Sequence, residues 1–192
     1  MSDLQRETLK EYLLTYEYLT EKISRFDERI EELASVERYE EKAKHMSCLL
    51  GIKTHIALLM IVEVGDFERF EKAPKFASFL GLVPSEDSSD TRVNRYSITK
   101  AGNSHLRRLL VEAAQSYTRG NVGHKSVALK QRQKGNPPEV IAYADKANER
   151  LRRRFYKMTL NKGVNRNVAT TAIAIARELA FFIWEMMTEH VS

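Results

Sequence analysis

A heptad pattern of apolar residues near the N-terminus constrains the fold of this 192-residue chain more than any other feature. Steps of three and four residues alternate along the pattern, which keeps its members on one stripe of a helix with a 3.5-residue period. We call this stripe the apolar seam, and it consists of Leu9, Tyr12, Tyr16, Leu19, Ile23, Phe26, Ile30 and Leu33. No Pro or Gly precedes Gly51, so we predict one helix from about Asp3 to the mid-thirties, with a break near Ala34–Glu37. The seam either forms a coiled coil with a second copy or another part of the protein, or packs on the protein's own core.

The rest of the chain also reads as helical. Helices are predicted around Lys125–Lys134, Pro138–Lys157 and Asn165–His190, and they are separated by the Gly-, Pro- and Asn-rich segments "KGNPP" and "LNKGVN". Strand signals are few, apart from an extended basic segment after Pro84 with room for a short hairpin. We therefore predict an all-α, mainly helical fold, with a coiled-coil helix over residues 1–36 and a helical domain over 37–192.

Cysteine content and hydropathy limit the class of protein. Cys48 is the single cysteine and no basic-then-apolar leader is present, so we expect an unsecreted, cytoplasmic protein. The apolar segment Val168–Met187 approaches membrane-spanning length, but Arg177, Glu178 and Glu185 would each be costly inside a bilayer. It is predicted to be the buried central helix. The five histidines show no tight ligand spacing, so the polypeptide is expected to have no metal site of its own.

The net charge of +5 conceals a strong asymmetry. Residues 1–91 carry 12 Lys and Arg against 19 Asp and Glu, whereas residues 92–166 carry 18 against 4. A segment of 75 residues with a charge of +14 is typical of a protein that binds phosphates, because each cation placed at a phosphate releases condensed counterions. The alternative is a basic helical surface that is simply solvated.

The segment around Gly51 resembles a helix-hairpin-helix. A tight glycine turn of this kind lets backbone amides approach a phosphate at the start of the next helix. Such hairpins commonly read Gly-hydrophobic-Gly, and here Lys53 stands at the second glycine, where it can offer a charge-assisted contact. Gly51 and Lys53 are therefore candidate nucleic-acid contacts, and a plain helical turn in the core explains the same residues equally well.

The stretch "PSEDSSDTRVNRYSITKAGNSHLRR" places serines beside cations. A serine hydroxyl is a weak nucleophile, but cations that neutralise a phosphodiester make its attack feasible as charge accumulates in the transition state. Asn103 or Ser104 is predicted to cap the helix that follows. The candidate phosphate-binding residues are Arg92, Arg95, Lys100, Asn103, Arg107 and Arg108. From these residues alone, Ser88 and Ser89 are either a solvated loop or a site of catalysis.

Two longer stretches resemble a known family. "FERFEKAPKFASFLGLVPSEDSSDTRVNRYSITKAGNSHLRRLLVEAA" and the later "NERLRRRFYKMTLNKGVNRNVATTAIAIARELAFFIWEM" are similar to the C-terminal transposase domain of the Piv/MooV-type insertion-sequence transposases. The resemblance covers roughly Cys48 to Met187. It implies DNA transposition by site-specific strand cleavage and rejoining, with a guide RNA in some members.

The resemblance also implies specific roles. Family members join an N-terminal RuvC-like nuclease domain, which holds Mg²⁺ at an Asp-Glu-Asp-Asp site, to a coiled coil and to this domain, whose serine attacks DNA. That serine directly precedes a glycine, and position-by-position matching places Ser89 in its role, with Asp90 standing where the family has glycine. No nuclease domain precedes the heptad helix, so the chain is expected to be a fragment or a shortened relative that binds DNA and cuts it poorly alone.

Two rival interpretations stay open at this point. The first is a non-catalytic module for nucleic-acid binding and assembly, in which the serines form only a loop. The second is a purely structural protein that oligomerises, as a homo-oligomer, through the heptad helix. Guide RNA is a further candidate partner, and a membrane is not expected.

Overall fold

The computed structural model describes residues 2–89, 92–159 and 168–188, with the backbone alone for 85–89 and 92–97. Its elements confirm the predicted mainly helical fold. The helices are α1 (Asp3–Ala34), α2 (Glu37–Met46), α3 (Thr54–Val64), α4 (Ala73–Phe79), α5 (Ser104–Ala114), α6 (Val127–Gln133), α7 (Pro138–Thr159) and α8 (Val168–Met187), with one 3₁₀ turn at Gln115–Thr118. The strands are β1 (Pro84–Ser89) and β2 (Arg92–Ile98).

Helix α1 begins and ends where the sequence indicates. Ser2 caps it through a capping box with Gln5, and the helix stops at Ala34, which is followed by the C-cap residue Ser35 and the extended Val36. Most of the apolar seam is exposed, from Leu9 at 48% to Phe26 at 58% of the full side-chain surface. Only the C-terminal end packs on the domain, through Ile30, Leu33 and the buried Ala34. The interpretation of α1 as a helix lying on its own core is therefore wrong for the seam from Leu9 to Phe26, within the part of the chain that is described.

Helix α8 is the central element of the core, as its hydropathy predicted. It packs against α4, α5 and α7, and it buries apolar side chains along its whole length, from Ala172 to Met187. Its Trp184 indole donates a hydrogen bond of 3.1 Å to the Phe67 carbonyl, which ties the helix to the turn before α4. No helix in the described ranges is long and apolar enough to cross a membrane.

The predicted extended segment is an antiparallel β-hairpin, the exception in an otherwise helical fold. Ser89 pairs with Arg92 at its far end, Glu86 pairs with Arg95 in the middle, and Pro84 pairs with Ile98 at its base. The register is irregular between Pro84 and Glu86. Residues 90 and 91, and with them Asp90, lie outside the described residues.

Candidate nucleic-acid interface

A groove of about 600 Å³ lies between the base of the β-hairpin, helix α5 and helix α8. Its cationic rim is formed by Lys100, Arg107 and Arg108, three of the phosphate-binding residues predicted from the sequence. Lys100 and Arg108 are exposed, and neither side chain has a hydrogen bond or ion pair among the described residues. The groove therefore presents two uncommitted positive charges to solvent, which is the chemistry that a phosphate backbone requires.

The base of the hairpin is closed by a backbone bond, and the loop that follows it is tied to the end of α4. The Thr99 amide donates to the carbonyl of Val83, the residue before β1, at 2.9 Å, and the Asn103 amide donates to the Phe79 carbonyl of α4 at 2.9 Å. Arg107 adds a side-chain bond, because its Nη1 donates to the Leu80 carbonyl at 3.0 Å. Arg107 thus lines the groove and also holds the hairpin, so part of its guanidinium is already committed.

Gly102 makes this close approach possible. Its φ is +126°, a conformation that L side chains rarely adopt, and a Cβ built there would lie 2.2 Å from the Phe79 carbonyl oxygen. The glycine within "TKAGN" is therefore a packing requirement at the hairpin base. The segment that leads into β1, "FLGLVP", and the segment after β2, "TKAGN", therefore lie side by side at the base of the hairpin, and both belong to the family-like pattern.

Asn103 caps α5, as predicted, and both halves of its side-chain amide are occupied. Its Oδ1 accepts a hydrogen bond of 2.9 Å from the Leu106 amide, and its Nδ2 donates to Glu63 Oε2 at 2.7 Å. The other oxygen of Glu63 lies 2.5 Å from His105 Nδ1. Glu63 therefore bridges α3 to the first turn of α5, and Asn103 positions that helix through internal bonds.

Sequence reasoning missed Glu63. The signal was present, because Glu63 is the single charged residue in the apolar run "IALLMIVEV". A carboxylate in such a run is stabilised when it finds hydrogen-bond donors. Its donors, Asn103 and His105, lie 40 and 42 residues later in the chain, which the sequence alone does not reveal.

Ser89 lies at the other end of the hairpin from the groove. Six residues of strand separate Ile98 at the base from Arg92, which corresponds to about 20 Å at the usual rise of a strand. The register places Arg92 beside Ser89 and Arg95 three residues further along. The structure thus brings Lys100, Arg107 and Arg108 together, and it places Ser89, Arg92 and Arg95 along the hairpin away from them.

The turn around Gly51 is embedded in the protein. The Leu50 amide donates to Asn148 Oδ1 at 2.8 Å, and Asn148 Nδ2 donates to the Cys48 carbonyl at 3.2 Å. Gly51 packs against α5, where a Cβ would lie 2.3 Å from the Ala113 carbonyl oxygen. The helix-hairpin-helix detail is not confirmed, because this turn forms hydrogen bonds with α6 and α7 and packs against the end of α5.

Lys53 is exposed and stands as the N-cap residue of α3. Ten residues of α3 separate it from Glu63, the residue that bonds to Asn103, and this length of helix spans about 15 Å. Lys53 therefore lies at the opposite end of α3 from the base of the hairpin, and the structure does not bring it to the groove.

Much of the positive charge on α6 and α7 is used inside the fold. Arg152 is buried, and its Nη1 donates to the Asn121 and His124 carbonyls at 2.7 Å each. Arg150 and Arg154 both pair with the buried Glu178 of α8. These arginines project in several directions, as their spacing predicted, and they hold α7, α8 and the loop before α6 in place.

Two further groups bear on chemistry. Burial raises the pKa of the Cys48 thiol to about 11, so the buried cysteine is a neutral thiol and not a nucleophile at neutral pH. Within residues 2–89, 92–159 and 168–188, no group of three or more His, Cys, Asp or Glu side chains is placed to hold a metal ion. The described residues therefore do not offer a set of ligands for Mg²⁺.

The fold and the groove define a mainly helical domain with a cationic surface at the base of a β-hairpin. Residues 43–129, from the end of α2 to α6, match the model of the Transposase IS116/IS110/IS902 family. This match lies almost entirely within the segment whose motifs resemble the family, and the resemblance predicted from those motifs is confirmed.

Several curated relatives carry matching names. "Putative transposase y4qE" of Sinorhizobium fredii is 37% identical over 145 residues, which cover 75% of this chain and 36% of that protein. The transposase for insertion sequence element IS1533 of Leptospira borgpetersenii is 28% identical over 156 residues, or 80% of this chain and 44% of the relative. The transposase for element IS1111A of Coxiella burnetii is 31% identical over 103 residues, or 52% and 28%. The chain thus spans less than half the length of each of these relatives.

Proposed function

We propose that this chain is the DNA-binding part of an insertion-sequence transposase, in which Ser89 attacks a DNA phosphodiester during strand cleavage and rejoining. The observation that carries the proposal is the groove, where Lys100 and Arg108 are exposed and pair with none of the side chains that the structure describes, beside a hairpin whose first strand ends in Ser89. The names of the relatives supply the reaction class.

The proposed chemistry is an exchange of phosphoesters. The Ser89 oxygen forms a bond to phosphorus, the bond from phosphorus to one strand oxygen breaks, and the serine proton passes to the departing strand hydroxyl. A hydroxyl from another strand then attacks the serine–phosphate ester and reverses these bonds, which rejoins the DNA. Arg92 and Arg95, on the strand opposite, would neutralise the phosphate oxygens as charge accumulates. Mg²⁺ remains an expectation for a nuclease domain, and no step is assigned to it in this chain.

The distance along the hairpin suggests how DNA lies on this surface. A strand of DNA advances about 3.4 Å per phosphate, so the roughly 20 Å between groove and tip corresponds to about six nucleotides. In this arrangement Lys100, Arg107 and Arg108 bind the backbone at a distance from the scissile phosphate. They hold the register of the strand, and the residues at the tip perform the reaction.

DNA binding is tested by neutralising the two free cations. We expect the Lys100→Gln, Arg108→Gln double variant to lower affinity for DNA, and to flatten the plot of log affinity against log salt by about 2, since each phosphate contact contributes about 0.9. The measurement is a fluorescence-anisotropy titration at several salt concentrations. The matched control is Lys130→Gln, Lys134→Gln, which removes two exposed positive charges outside the groove, one on α6 and one at its C-cap. An equal effect in both double variants would show that the binding is not localised to the groove.

The role of Ser89 needs a protein that includes the remaining domains. In such a full-length transposase, we expect Ser89→Ala to abolish the covalent protein–DNA adduct while Ser88→Ala retains it. The readout is the adduct trapped by denaturing gel electrophoresis with labelled DNA, together with the recombination rate. Normal recombination by Ser89→Ala would remove the catalytic role and would favour the alternative, a non-catalytic binding and assembly module. That alternative predicts that charge removal at Arg107 and Arg108 weakens binding while the serine change has no effect.

RNA is the second candidate ligand. The groove contacts that we propose are to phosphates, which DNA and RNA share, so a labelled RNA is titrated in parallel with the DNA. Tighter binding of RNA at equal length and salt would make a guide RNA the preferred partner of this surface.

A further inference from the structure

The groove at the hairpin base has apolar as well as cationic side chains. Three apolar residues, which we call its floor, line it, are partly buried and pack against the core: Ile98, Val111 and Ile173. Phosphates are strongly hydrated and gain nothing from an apolar floor, whereas the face of a nucleobase or a sugar does.

A second observation is the carboxylate in this otherwise cationic groove. Glu112 lines the groove, is exposed, and has no ion pair or hydrogen bond from its side chain among the described residues. A carboxylate on a surface that binds only phosphates weakens that binding by repulsion. It is favourable, however, where it accepts hydrogen bonds from a base amino group.

Helix α5 and its C-cap residue place a cation, a carboxylate and an amide in sequence along the groove. Arg108, Glu112 and Gln115 follow one another at spacings of four and three residues, so they share one face of the helix. From Arg108 to Gln115 the backbone advances about 10 Å. The face therefore changes from cationic to hydrogen-bonding over a length that suits one nucleotide, with the apolar floor alongside.

We propose that this groove binds one unpaired nucleotide, with the phosphate at Lys100 and Arg108, the base against the floor of Ile98, Val111 and Ile173, and the base edge at Glu112 and Gln115. The proposal rests on the proposed nucleic-acid function and specifies it further. Glu112 selects bases that carry an exocyclic amino group, such as cytosine and adenine, over thymine and uracil, which lack one. A base in a duplex is stacked and paired, so the site requires a single strand or an extruded base.

One simpler explanation makes a different prediction. Arg108 and Glu112 are four residues apart on α5, so Glu112 could serve only to neutralise Arg108 when nothing is bound. In that case, removal of the negative charge strengthens binding of every sequence by the same factor. In our proposal, removal of the Glu112 charge changes the ratio of the affinities for cytosine and thymine strands.

The experiment compares 12-nucleotide single strands of dC and dT, and of rC and rU, by fluorescence anisotropy at fixed salt. We expect the wild-type chain to prefer dC over dT by about tenfold, in the range of one good base contact, and Glu112→Gln to bring that ratio close to one. The matched control is Glu41→Gln, which neutralises an exposed glutamate of α2 with no ion pair among the residues described, and we expect it to leave the ratio unchanged. The rC and rU pair shows whether the same preference holds for RNA.

A second variant tests the floor. Val111→Thr keeps the shape of the side chain but adds a hydroxyl, and we expect it to weaken single-strand binding severalfold while leaving duplex binding unchanged. The proposal is overturned if the wild-type ratio of dC to dT is near one, if Glu112→Gln strengthens both equally, or if duplex DNA binds as tightly as the single strand. Those outcomes leave the DNA-binding function standing. If the wild-type chain binds no nucleic acid in a salt-dependent way, it is the proposed function that fails.

Discussion

Single residues of the family-like pattern act mainly by fixing the backbone. Gly102 allows the loop before α5 to touch the end of α4, Asn103 caps α5 and bonds to Glu63, and Arg107 donates to the Leu80 carbonyl. The cap at Asn103 could be predicted, because it depends on local sequence. The contacts of Gly102 and Arg107 could not, since their partners are brought close only by the fold.

Gly51 offers a sharp test of backbone packing, because Gly135 has nearly the same conformation in open space. Their φ values are +87° and +86°, but a Cβ at Gly51 would lie 2.3 Å from the Ala113 carbonyl oxygen, whereas a Cβ at Gly135 would have no atom of the described residues within 4 Å beyond its neighbours in the chain. Both Gly→Ala variants pay the strain of a left-handed residue, about 1 kcal/mol, and Gly51→Ala must also displace the backbone of α5. We expect Gly51→Ala to lose at least about 2 kcal/mol more of the free energy of unfolding than Gly135→Ala, measured by chemical denaturation. Equal losses would mean that the turn can move away from α5 freely.

At the scale of elements, α1 differs from the other helices. Its length and its end near Ala34 follow from the heptad pattern and the absence of Pro and Gly, so both could be predicted. What covers the seam could not, because an amphipathic stripe looks the same whether its partner lies in the same chain or in another. The exposed seam residues, with Tyr12 at 71% and Ile23 at 59%, are typical of a surface that is buried in an assembly.

We propose that α1 associates with a second copy, which would give a homo-oligomer. The double variant Ile23→Glu, Phe26→Glu places charges in the seam and should convert the oligomer to a monomer without lowering the Tm of the domain, since these side chains do not contact the core. Ser24→Glu, on an exposed polar position of the same helix, is the matched control and should leave the assembly intact. The measurement is sedimentation equilibrium. A wild-type chain that is monomeric at micromolar concentration would contradict this assembly.

At the scale of the whole molecule, the positively charged residues fall into two groups: those that form bonds within the fold and those that face solvent. The count of +14 over residues 92–166 indicates a phosphate partner, but it cannot separate cations that face solvent from those that hold the fold. The structure makes that separation. Arg152 and the Arg150–Glu178–Arg154 cluster stabilise the packing of α7, whereas Lys100 and Arg108 line the groove without an ion pair to any of the described residues.

The candidate site shows the same limit of sequence reasoning. Ser89 and the cations from Arg92 to Arg108 are adjacent in sequence, which suggested one cluster around a single phosphate. An extended hairpin separates neighbours in sequence far more than a helix does, because each strand residue advances about 3.3 Å against 1.5 Å. The tip and the base are therefore separate regions, and Lys53 and Gly51 belong to neither.

Because the hairpin is long and is held at its base, a small rotation at the base displaces its tip by a large distance. The tip lies about 20 Å from the base, so a tilt of about 10° would move the backbone of Ser89 by about 3.5 Å. If Ser89 is the nucleophile proposed above, a displacement of this size would lower its rate of attack strongly. The bonds of Asn103 and Arg107 to the end of α4, together with the tight contact at Gly102, therefore fix the direction of the strands that carry Ser89 about 20 Å away.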